Sequence, residues 1–218
     1  MRAALVGLEA PAATLLSDCF RQFGIEAVAV PHAAVQRLNV EKFEAGVLVL
    51  DDQAAAILTA IRSSRSNSRM VVYGIARSSS DALKFSQFGL NVILDYPIDR
   101  QNVLRAVRST HLLVLHELRR YVRVPLVAEV IIETATQKLK AVSCEVSSGG
   151  MSLHCRHKLP VPSDVQVHFE LPGRGQISVR STVCWARNSE DMIGIRFHPG
   201  DERRVVVRGW TDEYLGIR

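Results

Sequence analysis

SDVQVHFELPGRGQISVRSTVCWARNSEDMIGIRF, residues 163–197, alternates apolar and polar side chains along most of its length. Val165, Val167, Phe169 and Leu171 form one series, and Ile177, Val179, Val183 and Trp185 around Ser181 a second. Ile193, Ile195 and Phe197 form a third. A period of two places successive side chains on opposite faces of a strand, so each series marks a strand with one buried face. On this count Trp185 belongs to the core. Turn residues separate the series: LPGRGQ at 171–176, Pro160 to Pro162 before it, and Gly149-Gly150 further upstream. Half a dozen short strands from Val124 onward describe an antiparallel barrel or sandwich. A last helix, Asp201–Tyr214, is expected to close it with Val205, Val206 and Trp210 inward and Gly209 weakening its end.

Upstream of residue 109 the pattern is different. Apolar runs without alternation recur at residues 3–8, 26–30, 46–50, 70–75 and 91–94. Helical patterns lie between them, at Thr14–Phe23, 54–62 and Asp81–Phe88, two of them followed by Gly24 and Gly89. Unalternating apolar strands fit a parallel sheet buried on both faces, with helices as crossovers. The expected class is therefore a doubly wound α/β domain over residues 1–108. A linker helix and an antiparallel β-barrel with a C-terminal helix follow over 109–218.

The linker helix carries no Gly or Pro between Pro97 and Pro125. Asp99 is its expected N-cap, and Val103, Val107, Thr110, Val114 and Glu117/Leu118 recur at helical spacing. Leu112, Leu113 and Leu115 add apolar surface on further faces, to be covered by the second domain or by a partner chain, a homodimer being one such pairing. His111 and His116 read as ordinary polar positions of this helix.

The first half resembles the receiver domain of bacterial response regulators. The resemblance puts Asp51, in VLVLDD, at the phospho-accepting position. It implies an acid pair after the first strand, where VGLEAPAA has only Glu9, and a Lys before the last Pro, where LDYPID has Tyr96. Phosphoryl transfer to a carboxylate needs a metal and a cation to neutralise the moving oxygens. A pseudo-receiver used for interaction is expected, with Asp51 and Asp52 capping the next helix instead.

Three segments of the second half resemble the PilZ family. RRYVR (Arg119–Arg123) matches an RxxxR motif, EVSSGG (Glu145–Gly150) a (D/N)xSxxG motif with Glu in first place, and VCWARNSEDMIGIRF (Val183–Phe197) the late strand pair with its Trp and Gly-x-x-Phe. The resemblance implies that the barrel binds cyclic di-GMP. It implies that Arg119, Arg120 and Arg123 grip phosphates and guanine edges, that Glu145 and Ser147 face guanine polar groups, and that Gly149 and Gly150 allow a tight turn and close approach of the ligand. Arginine suits the task as a planar fork for phosphate oxygens and a flat cation for stacking. If the segment is helical, Arg119 and Arg123 share a face. The implied function is an effector or adaptor that couples second-messenger binding to a rearrangement of its two domains and a protein partner. The alternative is a degenerate PilZ scaffold that binds protein without nucleotide.

Composition agrees with a globular chain: of 218 residues 47% are hydrophobic and 22% charged, with a net charge of +5. No apolar run approaches the roughly 18 residues of a membrane span. Glu9 and Asp18 interrupt the N-terminal apolar stretch, against a signal peptide. Cys19, Cys144, Cys155 and Cys184 show no metal or redox spacing and suit a reducing cytoplasm. DNA binding is not expected, for no reading helix or finger is evident. Nor is catalysis or a cofactor, since no nucleophile–base pair or metal cluster appears.

Overall fold

The computed structural model describes residues 1–217. The chain forms two compact units, Met1–Leu118 and Arg119–Arg218, which divide inside one helix. Residues 109–118 thus group with the first unit, whereas the sequence reading counts them, as linker helix, with the second.

In the first unit five parallel strands alternate with helices: β1 (Arg2–Val6), α1 (Ala10–Arg21), β2 (Glu26–Val30), α2 (Arg37–Val40), β3 (Ala45–Val49), α3 (Ala54–Ser63), β4 (Val71–Ala76), α4 (Ser79–Lys84), β5 (Val92–Asp95) and α5 (Arg100–Tyr121). The strand order β2-β1-β3-β4-β5 is that of a doubly wound sheet. Alternate strand residues feed two cores. Ala3, Leu5, Val47 and Tyr73 pack with Leu16 and Phe20 of α1 and Val103 and Val107 of α5. Ala4, Val6, Leu48 and Val72 pack with Leu38 of α2 and Ile57, Leu58 and Ile61 of α3. Helix α1 begins earlier than its apolar spacing suggests, because Pro11 fits the first turn, whose N–H groups are unpaired in any case. The four-residue α2 is too short to leave a periodic signal. The expected helix at 81–88 is divided into α4 and a 3₁₀ turn, Ser86–Phe88, that ends on Gly89 at φ 66°.

Along α5, Val103, Val107, Thr110 and Val114 are buried, as their spacing requires, and so is Leu115. Leu112 and Leu113 remain 74% and 50% exposed. His111 donates through Nε2 to the carbonyl of Phe23, 3.2 Å away, and tilts against the Phe23 ring, a structural role within the first unit. Among the described residues no helix is long and apolar enough to cross a membrane.

The second unit contains β6 (Val124–Pro125), β7 (Glu129–Glu133), β8 (Lys138–Ser147), β9 (Gly150–His154), β10 (Ser163–Leu171), β11 (Gly175–Arg187), β12 (Met192–Phe197) and α6 (Arg204–Tyr214). The pairings β8-β7-β10-β11-β12-β9, closed by β9 with β8, make a six-stranded antiparallel barrel; β6 lies beside the end of β8. Its interior holds Val130, Ile132, Val167, Phe169, Val179, Val183, Ile195 and Phe197, with the Phe169 and Phe197 rings stacked at 6.3 Å. Closure removes the sheet edges that an open sandwich would leave unpaired. Helix α6 caps this core through Val207, and Trp210 packs beside it. Val205 and Val206, expected inside, are exposed. The turn at Asp201, whose carboxylate accepts the N–H groups of Arg180 and Arg203, sets the rotation of the helix and brings Val207 and Thr211, one turn apart, to the barrel.

Candidate functional site

The arginine segment is half helix. Arg119 and Arg120 belong to the last turn of α5, which ends at Tyr121. Arg123 lies beyond it, so Arg119 and Arg123 do not share a helical face as the spacing suggested. Its Nη1 donates to the carbonyls of Arg120 (3.2 Å), which the helix end leaves open, and Val122 (3.1 Å). Arg120 has its guanidinium 5.7 Å from the Tyr121 ring. Arg119 is engaged side-on: its Nε donates to Oδ1 of Asp212 at 2.7 Å and its Nη2 to Oδ2 at 2.9 Å. Side-chain exposures of 23% and 17% mark this pair as half-buried.

Two residues then bind the segment to the barrel. In β6, Val124 pairs with Val146 and Pro125 with Glu145. Leu126 donates its N–H to the carbonyl of Cys144, and buried Ser143 ties the following turn with its hydroxyl, donating to the carbonyl of Leu126 (2.6 Å) and accepting from the N–H of Ala128 (2.9 Å). Segments more than twenty residues apart in sequence thereby become neighbours. Ser143 carried no signal in the sequence beyond its inward parity.

Strand β8 departs from simple alternation where the motif begins. Its register against β9 shifts between Ser143 and Glu145, with Cys144 as the inserted residue of a β-bulge. Leu139, Ala141 and Ser143 face inward; without the bulge Glu145 would follow them. Instead it is exposed, and its carboxylate has no hydrogen-bond or ion-pair partner among the described residues.

The rest of the motif builds the hairpin. Ser147 is buried; its hydroxyl donates to the carbonyl of Gly150 (3.0 Å) and accepts from the N–H of Gly149 (3.4 Å). A Cβ on Gly150 would stand 2.1 Å from the carbonyl oxygen of Ile195, so the close approach this glycine permits is that of β9 to β12. A Cβ on Gly149 would meet nothing within 4 Å.

Trp185 is where parity reasoning fails. The register of β11 against β12 shifts between Val183 and Trp185, the inserted residue being Cys184. This second bulge turns Trp185 out of the core, and the side chain is 40% exposed. Its indole lies against the backbone of Gly194, where a Cβ would come within 2.1 Å of Cε2 and Nε1. The Arg187 guanidinium is 5.4 Å from the ring centroid.

Both re-aimed side chains stand on one register row of the outer surface: Pro125, Glu145, Ser152, Gly194 and Trp185 are successive cross-strand partners. Three strand spacings separate Glu145 from Trp185, about 14 Å, and the indole spans roughly the last of them. Beside this row opens a concavity of about 550 Å³, lined by Glu129, Lys140, Val142, His154, Arg156 and Asp191 among others. The row therefore combines a carboxylate acceptor, an indole face, close-lying backbone at Gly194 and the nearby arginine segment. Such a surface suits a flat, polar-edged anion better than an apolar ligand.

In the first unit, Asp51 follows β3 and accepts the N–H of Gln53 through Oδ1 at 2.9 Å, a turn contact at the start of α3. Glu9 precedes α1 and makes no side-chain capping bond. Tyr96 is exposed, with the Arg77 guanidinium 5.7 Å from its ring.

No curated protein matches the chain. Solved structures similar to its first half include the receiver domain of the sensor histidine kinase PA1611 from Pseudomonas aeruginosa, at 19% identity over 49% of this chain and 94% of that one, TM-score 0.42. The chemotaxis response regulator CheY4 of Vibrio cholerae is similar at 10% identity over 50% and 96%, TM-score 0.45. The second half is similar to the PilZ domain of CeSA from a cellulose-synthesizing bacterium, at 17% identity over 44% and 97%, TM-score 0.35. The family profile described as PilZ domain matches residues 117–209. With the closed six-stranded barrel, the arginine segment paired to it and the turn motif in place, residues 117–209 are a PilZ domain.

Proposed function

We propose that the chain is a cyclic di-GMP-binding effector or adaptor. The observation that carries this reading is the two-residue β6–β8 pairing, which sets the arginine segment beside unpartnered Glu145 on the row that ends at Trp185. Arg120 and Arg123 supply charge-assisted bonds to phosphate oxygens or guanine acceptors. Glu145 accepts from a guanine N–H edge, and Trp185 offers a face on which a base stacks. Ser147, Gly149 and Gly150 act through the hairpin that orients Glu145. Helix α5 leads from the first sheet into the arginine segment, so ordering that segment is a route to the receiver-like unit and to a protein partner or second copy at exposed Leu112 and Leu113.

A second reading, a scaffold without nucleotide, is favoured by one feature: Arg119 and Ser147 are already engaged within the protein. Calorimetric titration of the full chain with cyclic di-GMP separates the two. Saturable binding that Arg120→Ala and Arg123→Ala each weaken by tenfold or more is expected. Binding untouched by both substitutions would move the site elsewhere, and absence of heat would leave the scaffold.

A further inference from the structure

We infer that Asp212 is an internal stand-in for the anion, holding the C-terminal half of α6 on the arginine segment until a phosphate displaces it from Arg119. The contact has the geometry by which arginine takes a phosphate, two parallel N–H···O bonds to one anionic group, at 2.7 and 2.9 Å. Its carboxylate neutralises the first arginine of the motif, and an incoming phosphate meets like charge there until Asp212 withdraws.

Helix α6 is built to be released. RVVVRGWTDEY contains three β-branched residues in a row and a glycine, all poor helix formers. Only Val207 and Thr211 are buried along it. Its C-terminal half is instead held by carboxylates on consecutive residues: Asp212 to Arg119, and Glu213 to Arg174 in the β10–β11 turn. An element with little buried apolar surface and charge contacts at its end opens at low free energy. Exchange of Asp212 for phosphate at Arg119 would couple ligand binding to release of residues 208–216, a signal that a partner can read.

The inference rests on the nucleotide reading only for the identity of the displacing anion, and the test keeps the two apart. In the absence of ligand, amide hydrogen exchange over residues 208–216 is compared between wild type and Asp212→Asn. At least tenfold loss of protection in the variant is expected; equal protection overturns the latch. With cyclic di-GMP, the variant is expected to bind about tenfold more tightly, since a competent state populated at roughly a tenth no longer has to be selected. Glu213→Gln, which breaks the neighbouring pair and leaves Arg119 engaged, should gain less affinity than Asp212→Asn, because the Asp212 carboxylate still occupies Arg119. Equal or weaker binding by Asp212→Asn shows that the carboxylate positions Arg119 and overturns the inference. If neither protein binds the nucleotide while protection falls as expected, the ligand assignment fails and the latch stands.

Discussion

The two glycines of the turn motif differ in what their missing side chains allow. Gly150→Ala would drive a methyl into the Ile195 carbonyl, a backbone atom that moves only if β12 moves. A core clash of this kind costs about 1–3 kcal/mol, which in a domain of this size lowers Tm by roughly 5 °C or more. Gly149→Ala meets open space and should stay within about 0.5 kcal/mol of wild type. Thermal melting of both variants checks the contrast, and equal shifts would show that the strand approach at Gly150 is not the constraint. Glu145 poses a question of reach. Against the Asp or Asn of the motif it is longer by one methylene, about 1.5 Å, and a guanine edge left without its acceptor loses about 1–3 kcal/mol, or roughly ten- to a hundredfold in affinity. Because Glu145 is exposed and unpartnered, its arm swings freely and part of that loss is recoverable. The expected order of affinity for cyclic di-GMP is Glu145→Asp, then wild type, then Arg123→Ala, measured by calorimetry. Arg123 is exposed and bonds only to carbonyls of its own segment, so its removal leaves the barrel core untouched.

Two bulges decide which side chains the barrel presents. The period-two signal in residues 163–197 was enough to identify the strands, their turns and most of the core, because burial of one face imposes that period on any strand. It could not locate Cys144 or Cys184 as insertions, for a bulge leaves the composition of a strand unchanged and alters only its parity. The motif singles out Glu145, whereas alternation assigns Trp185 to the core because the alternate positions before it, Ile177, Val179 and Val183, are all inside. The rotation of α6 escaped for a related reason: three adjacent valines fit several helical faces, and the Asp201 turn chooses among them. The bulge in β11 makes a direct prediction. Deleting Cys184 restores alternation and turns Trp185 toward the packed interior. In a Trp210→Phe background, Trp185 fluorescence should then become less accessible to acrylamide, while cyclic di-GMP affinity falls with loss of the outer indole. Unchanged quenching would mean that the strand re-forms its bulge at another residue.

At the scale of the whole molecule the question is which unit receives the signal. The first unit has the strand order of a receiver, and that order puts Asp51 after β3, at the crevice where open α/β sheets bind their ligands. Order alone does not perform phosphoryl transfer, which depends on a metal and a cation around the moving oxygens. The Asp51 carboxylate accepts the N–H of Gln53, Glu9 is the single acid after β1, and Tyr96 stands before the last proline. A phosphoryl group on Asp51 would lose the Gln53 bond and gain no lysine. The second unit, by contrast, presents arginines, a free carboxylate and an indole face on its outer surface. Input is therefore expected as a nucleotide at the barrel, with the receiver-like unit expected to act as an output surface. Incubation of the full chain with acetyl phosphate and Mg²⁺ should leave its intact mass unchanged under conditions in which cyclic di-GMP raises its Tm. A stoichiometric phosphoryl adduct that disappears in Asp51→Ala would reverse this assignment and make the first unit a working receiver.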